Sequence, residues 1–197
     1  MIMIKRYGIL GSMRLLVSLI YTKIFFRHAR LIRLPFDIRN KRFIEIGEGF
    51  TTGVGCRIEA FPQIEKIVLK FGKNVQINDY VHITAMTNVA IGNNVLMASK
   101  IYISDCTHGS YAGDINDSNT NSIPIERPMS SKSVIIGDNV WLGEFVSVLP
   151  GVTIGKGTIV GANSVVSKSL PPYVIAVGTP AKPVKKFNFS AQRWEKI

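Results

Sequence analysis

Residues 134–166 read "VIIGDNVWLGEFVSVLPGVTIGKGTIVGANSVV", and their spacing decides the fold. An aliphatic side chain falls on every sixth position: Ile136, Leu142, Val148, Ile154, Val160 and Val166. Glycine follows four of the six, at Gly137, Gly143, Gly155 and Gly161. A second series runs two residues ahead, through Val134, Val140, Val146, Val152, Thr158 and Ser164. Upstream the same beat passes through Phe71, Ile77 and Ile83, then through Ile91, Met97 and Ile103 after two inserted residues. A weaker version begins at Ile46, Thr52 and Ile58.

A period of six fits neither a 3.6-residue helix nor a simple alternating strand. It fits a coil with three short strands and three corners, in which each inward aliphatic stacks on its counterpart one turn away. Eighteen residues then make one turn, and the matching segments make about five turns. A glycine after each aliphatic is expected to supply the positive φ of a sharp corner. The beat stops at "SDCTHGSY", residues 104–111, and returns at "SVIIGDNV". Residues 104–133, rich in Ser, Asn, Asp and Gly, therefore read as an insertion at one corner, the place where a solenoid builds its binding face. His108 stands at the base of that insertion.

The 197 residues suit one domain with a terminal appendage, and 46% apolar content is enough for a core. The net charge of +11 is concentrated at one end. Residues 1–42 hold ten basic side chains against the single acid Asp37, so the remainder is close to neutral. A nucleic-acid partner is not expected from such a body. Two cysteines, Cys56 and Cys106, make neither a disulfide framework nor a metal-binding spacing, and they read as reduced thiols of a cytoplasmic protein. Within residues 1–34 apolar and basic side chains alternate, and Arg14 splits the apolar run. An amphipathic helix is expected there, with two roles open: contact with a membrane interface, or packing on the body or a neighbouring subunit. The expected division is a basic segment over 1–42, the repeat coil over 43–170 and a C-terminal cap over 171–197.

The stretches "IGNNVLMASKIYIS", "IERPMSSKSVIIGDNVWLGE" and "LPPYVIAVGTPAKPVKK" resemble the hexapeptide-repeat acetyltransferases, and most of all the bacterial O-acetyltransferases of lipopolysaccharide O-antigen and capsule assembly. The resemblance covers roughly residues 44 to 186 and implies a mainly β fold, a left-handed parallel β-helix, assembled as a homotrimer. It also implies acetyl-CoA as donor and a sugar or lipid-linked glycan as acceptor, at the inner face of the cytoplasmic membrane.

By position in "THG", His108 resembles the catalytic histidine of these enzymes. The chemistry agrees: an imidazole can take the proton of an attacking hydroxyl and return it to the departing thiolate. Asn78 in "VQINDYV" matches an acceptor-site asparagine, although asparagine also suits a coil corner. Trp141 sits outward and invites a ligand or a neighbouring subunit. The resemblance places the pantetheine arm past Gly143 and Ala162 and the coenzyme phosphates near Lys168, Lys182 and Lys185; backbone N–H groups near Gly143 would face the oxyanion. Asp105 or a backbone carbonyl is the candidate to orient His108. His82, pointing outward from the coil, reads as a surface or subunit-contact residue, with lining of the acceptor site as the lesser alternative. No metal is expected, since the zinc-dependent coils of this shape need three histidine ligands and only His82 and His108 fall on the coils. Acetylation of a free sugar or nucleotide sugar, and a non-catalytic scaffold, are the competing readings.

Overall fold

The computed structural model describes residues 2–197. Its body is three sheets that the chain visits in strict rotation. The first sheet holds Ile44–Ile46, Leu69–Phe71, Val89–Ile91, Val134–Ile136 and Thr153–Ile154. The second holds Thr51–Thr52, Gln76–Ile77, Leu96–Met97, Trp141–Leu142, Ile159–Val160 and Val174–Gly178. The third holds Phe36–Arg39, Cys56–Ala60, His82–Ala85, Tyr102–Ser104, Ser147–Val148 and Val165–Val166. Neighbours within each of these runs are parallel, as a chain returning to the same face on each turn requires.

Register explains the six-residue beat. Ile46, Phe71, Ile91, Ile136 and Ile154 stand one above another in the first sheet. Ile38, Ile58, Ile83, Ile103, Val148 and Val166 do so in the third. Ile83, Ile103, Ile136, Leu142 and Val148 are completely or almost completely removed from solvent. Replacing a buried isoleucine of these columns by alanine costs about 2–5 kcal/mol.

The corner glycines act differently from expectation. Gly143 does not take positive φ; its role is close approach, because a Cβ there would lie 2.6 Å from the Ala162 backbone nitrogen on the next turn. Positive φ falls two residues later in the corner, on Phe145, and likewise on Asn74, Asn94, Asn139 and Asn163. Asparagine tolerates that region better than most side chains.

The ends also differ from the sequence reading. Residues 31–39 already belong to the coil: Leu31 bridges to Thr51, and Phe36–Arg39 pairs in parallel with Cys56–Ala60. Short alternation at Phe36 and Ile38, between charged Asp37 and Arg39, hides this strand from a six-residue search. Helix α1, Ile2–Phe25, broken at Gly8, precedes it. After Gly178 the chain turns back as Ala181–Asn188 and Arg193–Lys196, which extend the second sheet by antiparallel pairing. Residues 105–133 leave the edge between the third and first sheets as an arm, with Cys106–His108 paired antiparallel to Met129–Ser131.

Candidate active site

The arm fixes the backbone of His108 from several directions. His108 pairs with Met129 across the antiparallel base. Its carbonyl accepts the Tyr111 hydroxyl at 2.6 Å, and that oxygen accepts Arg127 Nη1 at 2.8 Å. Arg127 also donates to the Ser122 carbonyl at 2.9 Å, tying the two sides of the arm together. Gly109 follows at φ 97°, with its N–H on the Pro128 carbonyl at 2.9 Å. A Cβ there would come within 2.6 Å of the Tyr111 hydroxyl, which accounts for glycine in "THG". The imidazole of His108 is exposed and makes no hydrogen bond among the described residues. A rigid main chain thus presents a ring whose nitrogens are open to a reacting group.

The ring stands at a cleft of about 460 Å³ whose lining includes Glu59, Thr84, Tyr102, Ser104 and Met129. On the other side of the arm a cleft of about 260 Å³ is lined by Thr107, Ser130, Lys132 and Ser167. The arm therefore separates two openings, with His108 beside the one nearer the N-terminal turns.

Asp105 does not orient His108. It is fully buried, and its carboxylate accepts the N–H groups of Met86, Thr87 and Asn88 at 2.8, 2.7 and 2.7 Å. It holds the preceding corner to the root of the arm. Cys106 lines the same cleft as His108, but burial pushes its thiol upward, so the protonated form prevails at neutral pH. Cys56, on a core column, is pushed up to about 11 by burial and donates to the Asn78 carbonyl at 3.0 Å.

Sequence reasoning missed the floor of the cleft. Glu59 is buried, and its Oε1 accepts His82 Nε2 at 2.9 Å and Thr84 Oγ1 at 3.0 Å. Its Oε2 accepts Arg57 at 2.7 Å, with Arg39 at 3.3 Å. Burial pulls this carboxyl upward, but the hydrogen bonds from His82, Arg57 and Thr84 and the charge of Arg57 together outweigh it and hold the group below the ordinary carboxylate range. His82 is thus no free surface residue: it is locked to Glu59 and packs its ring 5.5 Å from Tyr102. The available signal was the alternation Arg57-x-Glu59, which puts two opposite charges on one outward face facing His82 and Thr84 on the next strand.

The remaining site residues divide between edges. Lys168 is exposed on the edge between the third and first sheets, the edge that carries His108. Asn78, Gly143 and Ala162 lie on the edge between the second and third sheets. Trp141, 47% exposed, projects from the second sheet beside Leu96 and Ile159. Lys182 and Lys185 are exposed on the hairpin that extends it. One chain therefore does not bring Asn78 to His108; the Asn78 amide oxygen accepts Gln76 Nε2 instead. Among the described residues no cluster of His, Cys, Asp and Glu has a metal-binding arrangement.

A three-sheet coil of six-residue repeats, with an arm that presents one open histidine, defines a hexapeptide-repeat transferase. Residues 133–168 match the model of the family described as bacterial transferase hexapeptide (six repeats). A protein of Escherichia coli K12 that carries the name of a lipopolysaccharide biosynthesis O-acetyl transferase, WbbJ, is 47% identical over 192 residues, spanning 98% of this chain and 96% of its own length. Galactoside O-acetyltransferase of Lactococcus lactis is 32% identical over 78% of this chain and 68% of its own. The chain belongs to the hexapeptide-repeat acetyltransferase family. Its fold is shared with AntD, an N-acyltransferase from Bacillus cereus solved with dTDP and 3-hydroxybutyryl-CoA, at a TM-score of 0.67 and 22% identity over 87% of this chain and 88% of that one.

Proposed function

We propose that this protein transfers acetyl from acetyl-CoA to a sugar hydroxyl in the biosynthesis of lipopolysaccharide O-antigen or another surface polysaccharide, with His108 as general base. The observation that carries the proposal is the open imidazole on a fixed backbone beside a cleft able to hold a sugar. The extent of similarity to the E. coli relative supports the polysaccharide acceptor.

The imidazole takes the proton of the acceptor hydroxyl as its oxygen attacks the thioester carbonyl. The tetrahedral oxyanion is met by backbone N–H groups, and those near Gly143 are the candidates. The C–S bond then breaks, and the imidazolium returns its proton to the departing thiolate. Both substrates are bound together, so no acyl-enzyme forms; the raised thiol of Cys106 supports this route over an acyl-cysteine. The acceptor enters the cleft floored by Glu59 and Thr84. The donor approaches from the C-terminal turns, where Lys168, Lys182 and Lys185 offer cations to its phosphates and Gly143 and Ala162 leave room for its arm.

Family membership supports a left-handed coil of about five turns, with residues 171–197 as cap and coenzyme tail. It also supports a homotrimer, and the division of the site between edges favours one in which Asn78, Gly143 and Ala162 of one copy face His108 of the next. Mixing His108→Ala and Asn78→Ala proteins after dissociation should regenerate part of the parental activity. Strictly additive activity of the two variants would sink the shared site. For the reaction itself, thiol release from acetyl-CoA should require a sugar acceptor. Absence of release with every glycan, sugar and nucleotide-sugar acceptor, together with no coenzyme A binding, would favour a scaffold.

A further inference from the structure

Helix α1 is mounted with its polarity reversed. Its docked stripe is Gly11, Leu15, Ser18 and Thr22, and the two hydroxyl residues on it are the buried ones. Thr22 Oγ1 accepts the Ile32 N–H at 2.8 Å and Ser18 Oγ accepts the Leu34 N–H at 3.2 Å, so both fasten the helix to the start of the coil. The opposite stripe, two residues further along and therefore about 200° around the helix, is Met13, Val17, Ile20 and Ile24. These side chains are between 52% and 60% exposed. Leu10 and Leu16 widen this face to a sector of about 120°, and both are exposed.

Cations border that sector. At about 100° per residue, Arg14 falls on one shoulder and Lys23 on the other. Arg14 also lines a cleft of about 380 Å³ between α1 and the edge of the second and third sheets, together with Arg33, Tyr7 and Tyr80. Among the described residues no carboxylate pairs with Arg14, Lys23, Arg27, Arg30 or Arg33. By length and composition alone Ile4–Phe25 is apolar enough to cross a bilayer, although the helix is broken at Gly8 (φ 67°, ψ −178°). The contacts of Ser18 and Thr22 hold one side of it against the protein over its last two turns, so only the opposite side is free to meet a bilayer.

We propose that this face of α1 is a docking surface for an anionic phospholipid bilayer. The aliphatic sector enters the boundary of head groups and acyl chains, Arg14 and Lys23 reach head-group phosphates on either side, and the cleft with Arg14 and Arg33 seats a further phosphate. Charge decides against a second copy docking face to face on the same surface, since such a contact would bring these cations together without a carboxylate. Docking of this kind turns the edge that carries Tyr80 and Asn78 towards the membrane, where a lipid-borne sugar would arrive.

The full-length protein should co-sediment with vesicles of equal phosphatidylglycerol and phosphatidylcholine at 0.1 M salt, and not with pure phosphatidylcholine vesicles. Raising salt to 0.5 M should weaken binding. Arg14→Gln with Lys23→Gln should weaken it about thirtyfold. Val17→Glu with Ile20→Glu should abolish it while thermal midpoint and solution mass stay parental, and Val17→Leu with Ile20→Leu should retain it. Failure to sediment with anionic vesicles, equal binding to both vesicle types, or retained binding by the glutamate pair would overturn the proposal. A fall in solution mass in the glutamate pair would overturn it too, by assigning the face to a second copy. None of these readouts uses catalysis, so failure of the acetyl-transfer reading would leave them unchanged.

Discussion

His82 and His108 are reached from successive turns of the same sheet, yet they are held in opposite ways. The His82 ring donates to a buried carboxylate that Thr84, Arg57 and Arg39 also engage. The His108 ring has no partner among the described residues, while its main chain is fixed through Tyr111 and Arg127. Both nearby carboxylates, Glu59 and Asp105, are committed elsewhere. An imidazole fastened to a carboxylate builds structure; one fastened only through its backbone keeps its nitrogens available for proton transfer.

The comparison can be strained at its supports. Asp105→Ala leaves the N–H groups of residues 86–88 without their acceptor, the buried one at Met86 costing about 1–3 kcal/mol and the half-buried ones at Thr87 and Asn88 less. A loss of several kcal/mol in denaturant unfolding is expected. A loss below about 1 kcal/mol would show that Asp105 is not the corner clamp.

Glu59→Gln keeps the shape but removes the charge that His82, Arg57 and Arg39 share. A loss of about 1–3 kcal/mol at neutral pH is expected. The carboxyl lies below its ordinary value near 4.5 in the folded protein. Its contribution is therefore present above about pH 4.5 and is lost as pH falls through the folded value. Stability of the Gln variant should fall less steeply below pH 4.5 than that of the parent, and parallel curves would remove Glu59 from the balance.

The smallest effect belongs to Tyr111→Phe, which deletes the hydroxyl on the His108 carbonyl. A decrease in kcat of about fivefold with KM near parental is expected, equivalent to one ordinary hydrogen bond. A change confined to KM would place Tyr111 in substrate binding instead of positioning.

The inward columns were legible in the sequence because each turn repeats the same burial at the same spacing. His108 was legible for a related reason: it sits where that spacing stops. Other features depend on contacts that no short window contains. Glu59 and His82 are 23 residues apart and meet only through strand register. The docked side of α1 was hidden because Ser18 and Thr22 look like a solvent face until their hydroxyls are seen capping Ile32 and Leu34. The division of Asn78 and His108 between two edges follows from which corner of the coil each occupies: Asn78 follows Ile77 of the second sheet, whereas the arm follows Ile103 of the third.

Turnover and coenzyme A affinity, measured in parallel for His108→Ala and His82→Ala, separate the two histidines. With His108 as general base, His108→Ala should lose about a hundredfold or more in turnover at unchanged coenzyme A affinity. His82→Ala should stay within about tenfold of the parent, well short of the loss of a general base. Near-parental turnover in His108→Ala would contradict that role, and a collapse confined to His82→Ala would move the base to the other histidine.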